Sequence, residues 1–263
     1  MNNYQANTRF VGKKSKYLDI CPSTNSLAFS EALKEDLEEG FAWIAGHQTE
    51  GRGQRGNTWN AEPNQNLTLS YLLRPPHHLL EKQFFLSKAI ANGILSGLEA
   101  WSRTTQGENF NFKIKWPNDI YLDGVKMGGI LIENNIQAGK WSFSIIGIGL
   151  NINQKQFENI RGTSLRSYLD LPQPIALTEI YHYLSQGIEE AYGQFSSEAF
   201  NKIDEIYHDK LFRRAEWALY ETNDEKFEGK ILGVNEKGLL EIEKEFTVES
   251  YDLKEISFIF PSL

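Results

Sequence analysis

The sequence predicts an α+β protein, with helices on a predominantly antiparallel or mixed sheet and a small antiparallel β-barrel at the C-terminus. Two observations lead to this class. Apolar residues recur at helical spacing in a few long segments, and shorter segments of strand length lie between them. After about Arg214 the pattern changes to short apolar runs separated by polar turns. We therefore predict a main domain over residues 1–213 and a small barrel over residues 214–263.

The first third of the chain contains one predicted helix start and one long loop. Ser23, Thr24 and Asn25 offer capping side chains ahead of a rough helical apolar stripe. Residues 46–66 are dense in Gly, Asn, Gln and Thr, which predicts a loop of a length that is often functional. The elements predicted around them are a lead-in over 1–20 that ends in a strand, strands over 41–45 and 67–73, and a long helix over about 81–104.

The rest of the main domain is predicted to be rich in strands. Phe110, Phe112 and Ile114 alternate with polar residues, which is the period of a strand. Asp123-Gly124 is a predicted turn between two further strands. The remaining predictions are strands over 120–122, 130–132 and 141–153, a helix that begins at Thr178, and barrel strands over 217–220, 230–234, 239–242 and 256–260.

Composition excludes several classes of protein. The 263 residues are 40% hydrophobic, which is enough for a substantial core. A formal net charge of −8 disfavours a general nucleic-acid binder, because phosphate contacts need an excess of Lys and Arg. The lone Cys21 permits neither an internal disulfide nor a cysteine zinc site. The N-terminus lacks a signal-peptide pattern and no apolar run reaches the ~18–20 residues of a membrane span. We expect a soluble, cytoplasmic protein.

The segment Gly51-Arg52-Gly53-Gln54-Arg55-Gly56 matches a dinucleotide-binding fingerprint as a bare pattern. That fingerprint must open a helix directly after a strand, and the residues that follow, from Asn57 to Pro63, do not begin a helix. A P-loop is also excluded, since Asn57 stands where its lysine should be. What remains is a loop whose glycines let backbone N–H groups approach an anion and whose arginines can clamp one. A mobile, solvent-exposed loop explains the segment equally well.

Three further segments combine polar groups or glycines with strands. They are Lys115-Trp116-Pro117-Asn118-Asp119, the segment from Lys126 to Glu133 with Gly128-Gly129 inside it, and the segment from Gly147 to Asn153 with Gly149. Glycines inside a strand indicate close approach by a ligand or another chain. Taken alone, the first segment is better explained as a turn, and a bulge with a surface lysine explains the second as well.

In this order and spacing, the segments resemble the biotin protein ligase family (holocarboxylase synthetase family). The resemblance covers residues from about 15 to the C-terminus, with Ser23-Thr24-Asn25, the stretch from Gln48 to Trp59 and the weaker Thr163-Ser164-Leu165 as further matches. It implies a class II synthetase-like catalytic domain and an SH3-like terminal barrel. It also implies a monofunctional member, because no helix-turn-helix fits ahead of Ser23.

The resemblance also implies roles for individual residues. Lys126 and Arg52 are the expected catalytic residues, at the biotin carboxylate and the α-phosphate. The expected biotin-binding residues are Ser23, Thr24, Asn25, Gln48, Gly51, Arg52, Lys126, Gly129 and Gly147. The expected nucleotide-binding residues are Gly53, Gln54, Arg55, Trp59, Asn118, Asp119 and Asn151. Gln54 departs from the family, which often has arginine there to hold the closed loop.

The implied reaction activates biotin with ATP to biotinyl-5′-AMP and transfers it to a lysine of a biotin carboxyl carrier protein. Mg²⁺ should accompany ATP, although no cluster of ligands in the sequence marks a metal site. We expect no DNA or membrane partner and a monomer or homodimer. The alternatives are a lipoate–protein ligase, a non-catalytic biotin-binding or regulatory protein, and, with least support, a DNA-binding regulator.

Overall fold

A computed structural model describes residues 4–157, 162–223, 225–245 and 247–260 of the chain. Two sheets and several helices make up the described part. The helices are α1 (Thr24–Ala32), α2 (Gln83–Trp101), α3 (Leu165–Tyr168), α4 (Leu177–Ser196) and α5 (Phe200–Asp209). The strands are β1 (Ser15–Cys21), β2 (Ala42–Gln48), β3 (Leu67–Leu73), β4 (Phe112–Lys115), β5 (Asp119–Leu122), β6 (Val125–Gln137), β7 (Lys140–Leu150), β8 (Trp217–Glu221), β9 (Lys226–Val234), β10 (Leu240–Lys244), β11 (Thr247–Tyr251) and β12 (Ser257–Phe258).

The main sheet is mixed, in the order β1-β2-β3-β7-β6-β5-β4. β1 and β2 pair in parallel, and the other neighbours pair antiparallel. Every residue of β3 is buried, which explains its nearly unbroken apolar run. Helix α1 packs on one face of the sheet through Ala28 and Ala32, against Leu72 and Ile145. The mixed sheet predicted from the sequence is confirmed.

Helices α2 and α4 pack closely against each other over the larger core. A Cβ atom on Gly93 of α2 would lie 2.7 Å from the carbonyl oxygen of Gly187 of α4. The two backbones can approach this closely only because both positions lack side chains. Among the described residues, no helix combines the length and the apolar character that crossing a membrane requires.

The second sheet is antiparallel, in the order β11-β10-β9-β8-β12. Its inward side chains, such as Tyr220 and Ile231, belong to the same apolar cluster as the core under the main sheet. Trp116 Nε1 also donates a hydrogen bond to the carbonyl oxygen of Gly238 at 2.9 Å. The small C-terminal antiparallel unit predicted from the sequence is therefore present, and it shares a continuous core with the rest. A domain boundary near residue 213 stays a prediction.

Several elements differ from the sequence-based expectation. Helix α5 was not expected as a separate helix. Strand β11 was not expected either, because its first four residues are exposed and leave no apolar signal. Strand β6 runs far beyond the predicted 130–132. Its length was underestimated because the polar residues Glu133 and Asn134 interrupt the apolar pattern. The predicted loop 46–66 is confirmed as largely irregular after Gln48, with a short 3₁₀ turn over Gln54–Gly56.

A buried carboxylate holds the N-terminal segment on α4. Glu189 accepts hydrogen bonds from the backbone N–H groups of Arg9, Phe10 and Val11 at 3.0, 2.8 and 3.1 Å. Burial alone would raise the pKa of this carboxyl, but the hydrogen bonds from the three amides and the Arg9 side chain lower it overall. The segment therefore packs on the helix through an ionised carboxylate.

Candidate active site

A cavity of about 270 Å³ lies on the α1 face of the main sheet, at the N-terminal end of α1. The irregular loop after β2 covers it, and Leu253 from the C-terminal unit contributes to its wall. Its lining residues are Ser23, Thr24, Asn25, Gln48, Arg52, Gly53, Gln54, Asn57, Thr58, Trp59, Thr68, Leu69, Lys115, Pro117, Asn118, Asp119, Lys126, Gly129, Ile130, Leu131, Gly147, Ile148, Gly149 and Leu253.

Three glycines form the floor of the cavity. Gly129 of β6 pairs with Gly149 of β7, and Gly147 lies two residues away on the same face. A Cβ on Gly147 would lie 2.1 Å from Asn25 Oδ1, and one on Gly149 would lie 2.4 Å from the Trp59 ring. At Gly129 the nearest described atom, Asp119 Oδ1, would be 3.8 Å away. Two of the glycines make room for site side chains, and at the third a Cβ atom would fit without a close contact.

One end of the cavity is lined by neutral polar groups. Ser23 caps α1, and its Oγ accepts a hydrogen bond from the Ser26 N–H. Gln48 Oε1 accepts from the Thr24 N–H at 2.6 Å and from Thr24 Oγ1 at 3.0 Å. The hydroxyl of Ser70, on buried β3, lies 2.8 Å from Thr24 Oγ1 and 2.6 Å from Asn25 Oδ1. These contacts fix the orientation of the hydroxyl and amide groups before a ligand arrives.

The other end of the cavity carries two lysines beside one carboxylate. Lys126 Nζ lies 2.6 Å from Asp119 Oδ1, and Lys115 Nζ lies 3.9 Å from Asp119 Oδ2. Burial lowers the pKa of Lys115, an effect that Asp119 partly offsets. Asp119 is the one carboxylate among the described lining residues, so this end has a net positive charge. It is suited to bind an anion.

Residues 49–59, which contain the glycine-rich segment, form a narrow lid over the cavity, and backbone hydrogen bonds join the two sides of this lid. The Trp59 N–H donates to the Gly51 carbonyl at 2.9 Å, and the Gly53 N–H donates to the Asn57 carbonyl at 2.7 Å. No helix follows the segment in the described residues 57–66, which confirms that it is not a dinucleotide fingerprint. Two ion pairs hold the lid, from Arg52 to Glu133 at 2.6 Å and from Arg55 to Asp252 at 2.7 Å.

Two buried polar atoms of the lid lack a hydrogen-bond partner among the described residues: Gln54 Oε1 and Trp59 Nε1. Both residues line the cavity. Buried polar atoms are nearly always satisfied in folded proteins, so such a pair needs an explanation. A bound polar ligand with a donor for Gln54 and an acceptor for Trp59 would supply it.

Most of the residues predicted to form the site line this one cavity. Three do not. Gly51 lies beside it, where a Cβ would be 2.1 Å from the Trp59 carbonyl oxygen. The Arg55 side chain is directed to Asp252 instead, from a backbone in the left-handed region with a φ of 53°. Asn151 is buried, and its N–H donates to the Met127 carbonyl at 2.8 Å. For Arg55 and Asn151, a direct nucleotide contact stays a prediction.

The structure adds site residues that the sequence analysis did not single out. Thr68 of β3 and Leu253 of the C-terminal unit line the cavity, and Ser70 of β3 supports its neutral end through hydrogen bonds to Thr24 and Asn25. Ser70 and Thr68 had a readable signal, since they are polar residues at alternate positions of a completely buried strand. Leu253 had none, because only the tertiary fold brings the C-terminal unit to the cavity.

The described residues contain no group of three or more His, Cys, Asp or Glu side chains arranged to hold a metal ion. In the cavity, the carboxylate that could contact a divalent ion is Asp119, which Lys126 already pairs with. A magnesium ion at this site would therefore have to be held mainly by the phosphate oxygens of a nucleotide, which is a common arrangement for Mg²⁺.

Fold and cavity together define a class of protein whose pocket has one neutral polar end and one cationic end, which suits a small molecule that ends in an anion. Residues 17–151, slightly more than half of the chain, match the model of the biotin/lipoate A/B protein ligase family. The chain belongs to this family.

Individual relatives narrow the assignment within the family. The chain is 27% identical over 242 residues to the bifunctional ligase/repressor BirA of Bacillus subtilis, covering 90% of this chain and 71% of that protein. It is 31% identical over 147 residues to the biotin–[acetyl-CoA-carboxylase] ligase of Mycobacterium tuberculosis, covering 55% and 52%. The structure superposes on the Aquifex aeolicus biotin protein ligase in complex with biotin and ATP with a TM-score of 0.74, at 25% identity and over 93% and 98% of the two chains. The predicted fold and the predicted kind of enzyme, a ligase of the biotin protein ligase type, are confirmed.

Proposed function

We propose that this enzyme converts biotin and ATP into biotinyl-5′-AMP and pyrophosphate, and then transfers the biotinyl group to a lysine of a biotin carboxyl carrier domain. One observation carries the proposal: a single cavity joins the neutral cluster of Thr24, Asn25 and Gln48 to the lysine pair of Lys115 and Lys126. The Aquifex aeolicus biotin protein ligase is in complex with biotin and ATP, which supports the same pairing.

Biotin has chemistry that complements the two ends of the cavity. It is a neutral bicyclic urea on an aliphatic chain that ends in a carboxylate. The urea needs neutral hydrogen-bond donors and acceptors, which the hydroxyl and amide groups around Gln48 and Ser70 supply. The carboxylate needs cations, which Lys126 and Lys115 supply. The glycine floor leaves room for the aliphatic chain between them.

In the first step, a carboxylate oxygen of biotin attacks the α-phosphorus of ATP and pyrophosphate leaves. Negative charge builds up on the α-phosphate in the transition state. Lys126 and Lys115 stabilise that charge and hold the two anions in contact, so the enzyme acts by electrostatics and positioning. Mg²⁺, held mainly by the phosphate oxygens of the nucleotide, would supply further charge neutralisation, with Asp119 as the lining carboxylate that could contact it in exchange for its pairing with Lys126.

The nucleotide half of the site lies under the lid. Trp59 and Gln54 bring to this half two buried atoms that lack partners among the described residues, and Asn118 and Asp119 line the same cavity. A nucleotide base offers both hydrogen-bond donors and acceptors. We assign the two lid atoms to the nucleotide for this reason.

In the second step, the uncharged amine of the acceptor lysine attacks the acyl carbon of the mixed anhydride and AMP leaves. Water competes with the amine until the acceptor arrives. The lid, held by its two ion pairs, shields the anhydride during that time. We further propose that the enzyme works in the cytoplasm. That it binds no DNA and acts as a monomer or homodimer stays a prediction.

Biotin-dependent pyrophosphate release from ATP and Mg²⁺, without any acceptor protein, tests the first step. We expect release with biotin and none with lipoate, because the neutral end of the cavity is built for a urea. Release with lipoate alone would favour a lipoate–protein ligase. No release with either would favour a non-catalytic biotin-binding protein.

A further inference from the structure

Glu133 lies at the junction between the lid and the neutral end of the cavity. It is on β6, on the same face as Gly129 and Leu131, because alternate residues of a strand share a face. Its side chain is one quarter exposed and does not itself line the cavity. The proposed function assigns it no role.

The Glu133 carboxylate bridges two elements of the site. Its Oε1 accepts a hydrogen bond from Arg52 Nη2 at 2.6 Å, and its Oε2 accepts from Arg52 Nη1 at 3.3 Å. The same Oε2 accepts from Asn25 Nδ2, at the start of α1, at 2.9 Å. Arg52 Nη1 also donates to Ser26 Oγ at 3.0 Å, so the arginine is held to α1 as well.

We propose that Glu133 is a positioning residue that docks the lid, residues 49–59, against α1 and β6 through Arg52. One carboxylate then sets both the closed position of the lid and the orientation of the Asn25 amide. The consequence for the reaction, tighter biotin binding and a better retained adenylate, rests on the proposed function. The docking itself does not.

The geometry of the pair favours this role. A fork of two N–H groups on two carboxylate oxygens restricts both distance and angle, so it fixes a loop more sharply than a single contact does. Nearly half of the Arg52 side chain is exposed. A pair that is partly exposed contributes little to the stability of the whole fold. It is still strong enough to shift the open-closed equilibrium of a loop.

This docking changes the expected role of Arg52. Its two Nη groups are directed at Glu133 and Ser26, and those N–H groups are not available to the biotin carboxylate at the same time. Lys126 and Lys115 are then the lining cations that contact the carboxylate and the α-phosphate. Arg52 acts mainly through the position of the lid.

The test compares Glu133→Gln with Glu236→Gln. Glutamine keeps an oxygen that can accept from Asn25, but it loses the charge that pairs with Arg52. The control removes the exposed pair between Glu236 and Lys82, 2.6 Å long and formed by residues that do not line the cavity. The readout is limited trypsin cleavage after Arg55 in the ligand-free protein, followed by intact mass. Arg52→Gln breaks the same pair from the lid side and carries the test if Glu133→Gln does not fold.

We expect Glu133→Gln and Arg52→Gln to be cleaved several-fold faster than the wild type. Their melting temperatures should equal that of the control variant. Cleavage at the wild-type rate would overturn the docking. In turnover, Glu133→Gln should raise KM for biotin and the release of free adenylate more than it lowers kcat. A fall in kcat with an unchanged KM for biotin would also overturn the positioning role. A wild-type protein that makes no adenylate, together with faster cleavage of the variants, would reject the proposed function and leave the docking intact.

Discussion

The three glycines on the cavity floor differ in what surrounds them. At Gly147 a methyl group would collide with Asn25 Oδ1, at a distance of 2.1 Å. At Gly129 it would make only an ordinary van der Waals contact, with the nearest described atom 3.8 Å away. The two positions therefore separate the packing of the site from the binding of its ligand.

Gly129→Ala should fold as stably as the wild type and bind biotin more weakly. The methyl group would make only an ordinary contact with the protein, 3.8 Å from Asp119 Oδ1, but it takes space in the cavity. A misfitting methyl group costs roughly 1–3 kcal/mol, which corresponds to a rise in KM for biotin of about 5- to 150-fold. Steady-state kinetics and thermal unfolding would check this. Gly193→Ala, whose Cβ would have no described atom within 4 Å, is the control. An unchanged KM for Gly129→Ala would mean that biotin does not lie over Gly129.

Gln54→Arg should slow the leakage of free adenylate. Gln54 lines the cavity with a buried Oε1 that has no partner among the described residues, whereas an arginine there would bring a positive charge to the cavity that holds the anionic adenylate. Release of labelled biotinyl-AMP from the pre-formed complex would be followed with time. Leakage at the wild-type rate would show that the uncharged glutamine is not a weak point of the lid.

Much of the candidate site could be predicted at the level of residues, since its polar and glycine segments are local in sequence. Lys126, Asn118 and Gln48 were expected in the site and line the cavity. The pairing partners could not be predicted. Nothing local indicates that Arg52 contacts Glu133, or that Arg55 contacts Asp252, because those contacts join residues far apart in the chain.

At the scale of elements, the helices and strands that were predicted correctly are those whose apolar residues recur with a strong period. Strand β3 matches its predicted range, and α2 lies within its own. Strand β11 and the polar half of β6 were missed because exposed residues carry no burial pattern. The N-terminal lead-in was also underestimated, since its attachment to α4 depends on one distant carboxylate, Glu189.

The attachment of the N-terminal segment should depend on pH. The folded-state pKa of Glu189 is below its ordinary value of 4.5, so it contributes stability that is present above pH 4.5 and is lost as the pH falls through the lower folded-state pKa. Unfolding of the wild type and Glu189→Gln in urea between about pH 3 and pH 7 would measure it. The difference between the two should be constant near neutral pH and shrink in acid. A difference that does not vary with pH would show that the carboxylate is not the anchor.

At the scale of the whole molecule, side-chain contacts as well as the polypeptide chain connect the C-terminal unit to the rest of the protein. Lys88 of α2 is buried, pairs with Asp204 of α5, and donates to the Val234 carbonyl of β9 at 2.7 Å. Burial lowers the pKa of Lys88, and the hydrogen bond from Lys88 to Asp204 partly offsets this. The sequence indicated the change of character near residue 214 but could not show that the two parts share a core.

Asp204→Asn should destabilise the whole protein in one transition. It leaves the buried Lys88 ammonium without its counter-charge, and removing one partner of a buried pair costs about 3–5 kcal/mol. Asp204 is about one third exposed, so solvent screening should reduce the loss to below this range, to about 2 kcal/mol. Chemical unfolding would measure the loss, and Glu236→Gln should stay within about 0.5 kcal/mol. Two separate transitions would contradict a shared core.

The most direct test of the account is intact-mass spectrometry of a purified biotin carrier domain incubated with this enzyme, biotin, ATP and Mg²⁺. Lipoate in place of biotin and the Lys126→Ala variant are the controls. We predict a mass gain of one biotinyl group with biotin alone, and its loss in the variant. A gain with lipoate, or no gain with biotin, would contradict the account and would mean that this cavity serves another carboxylate.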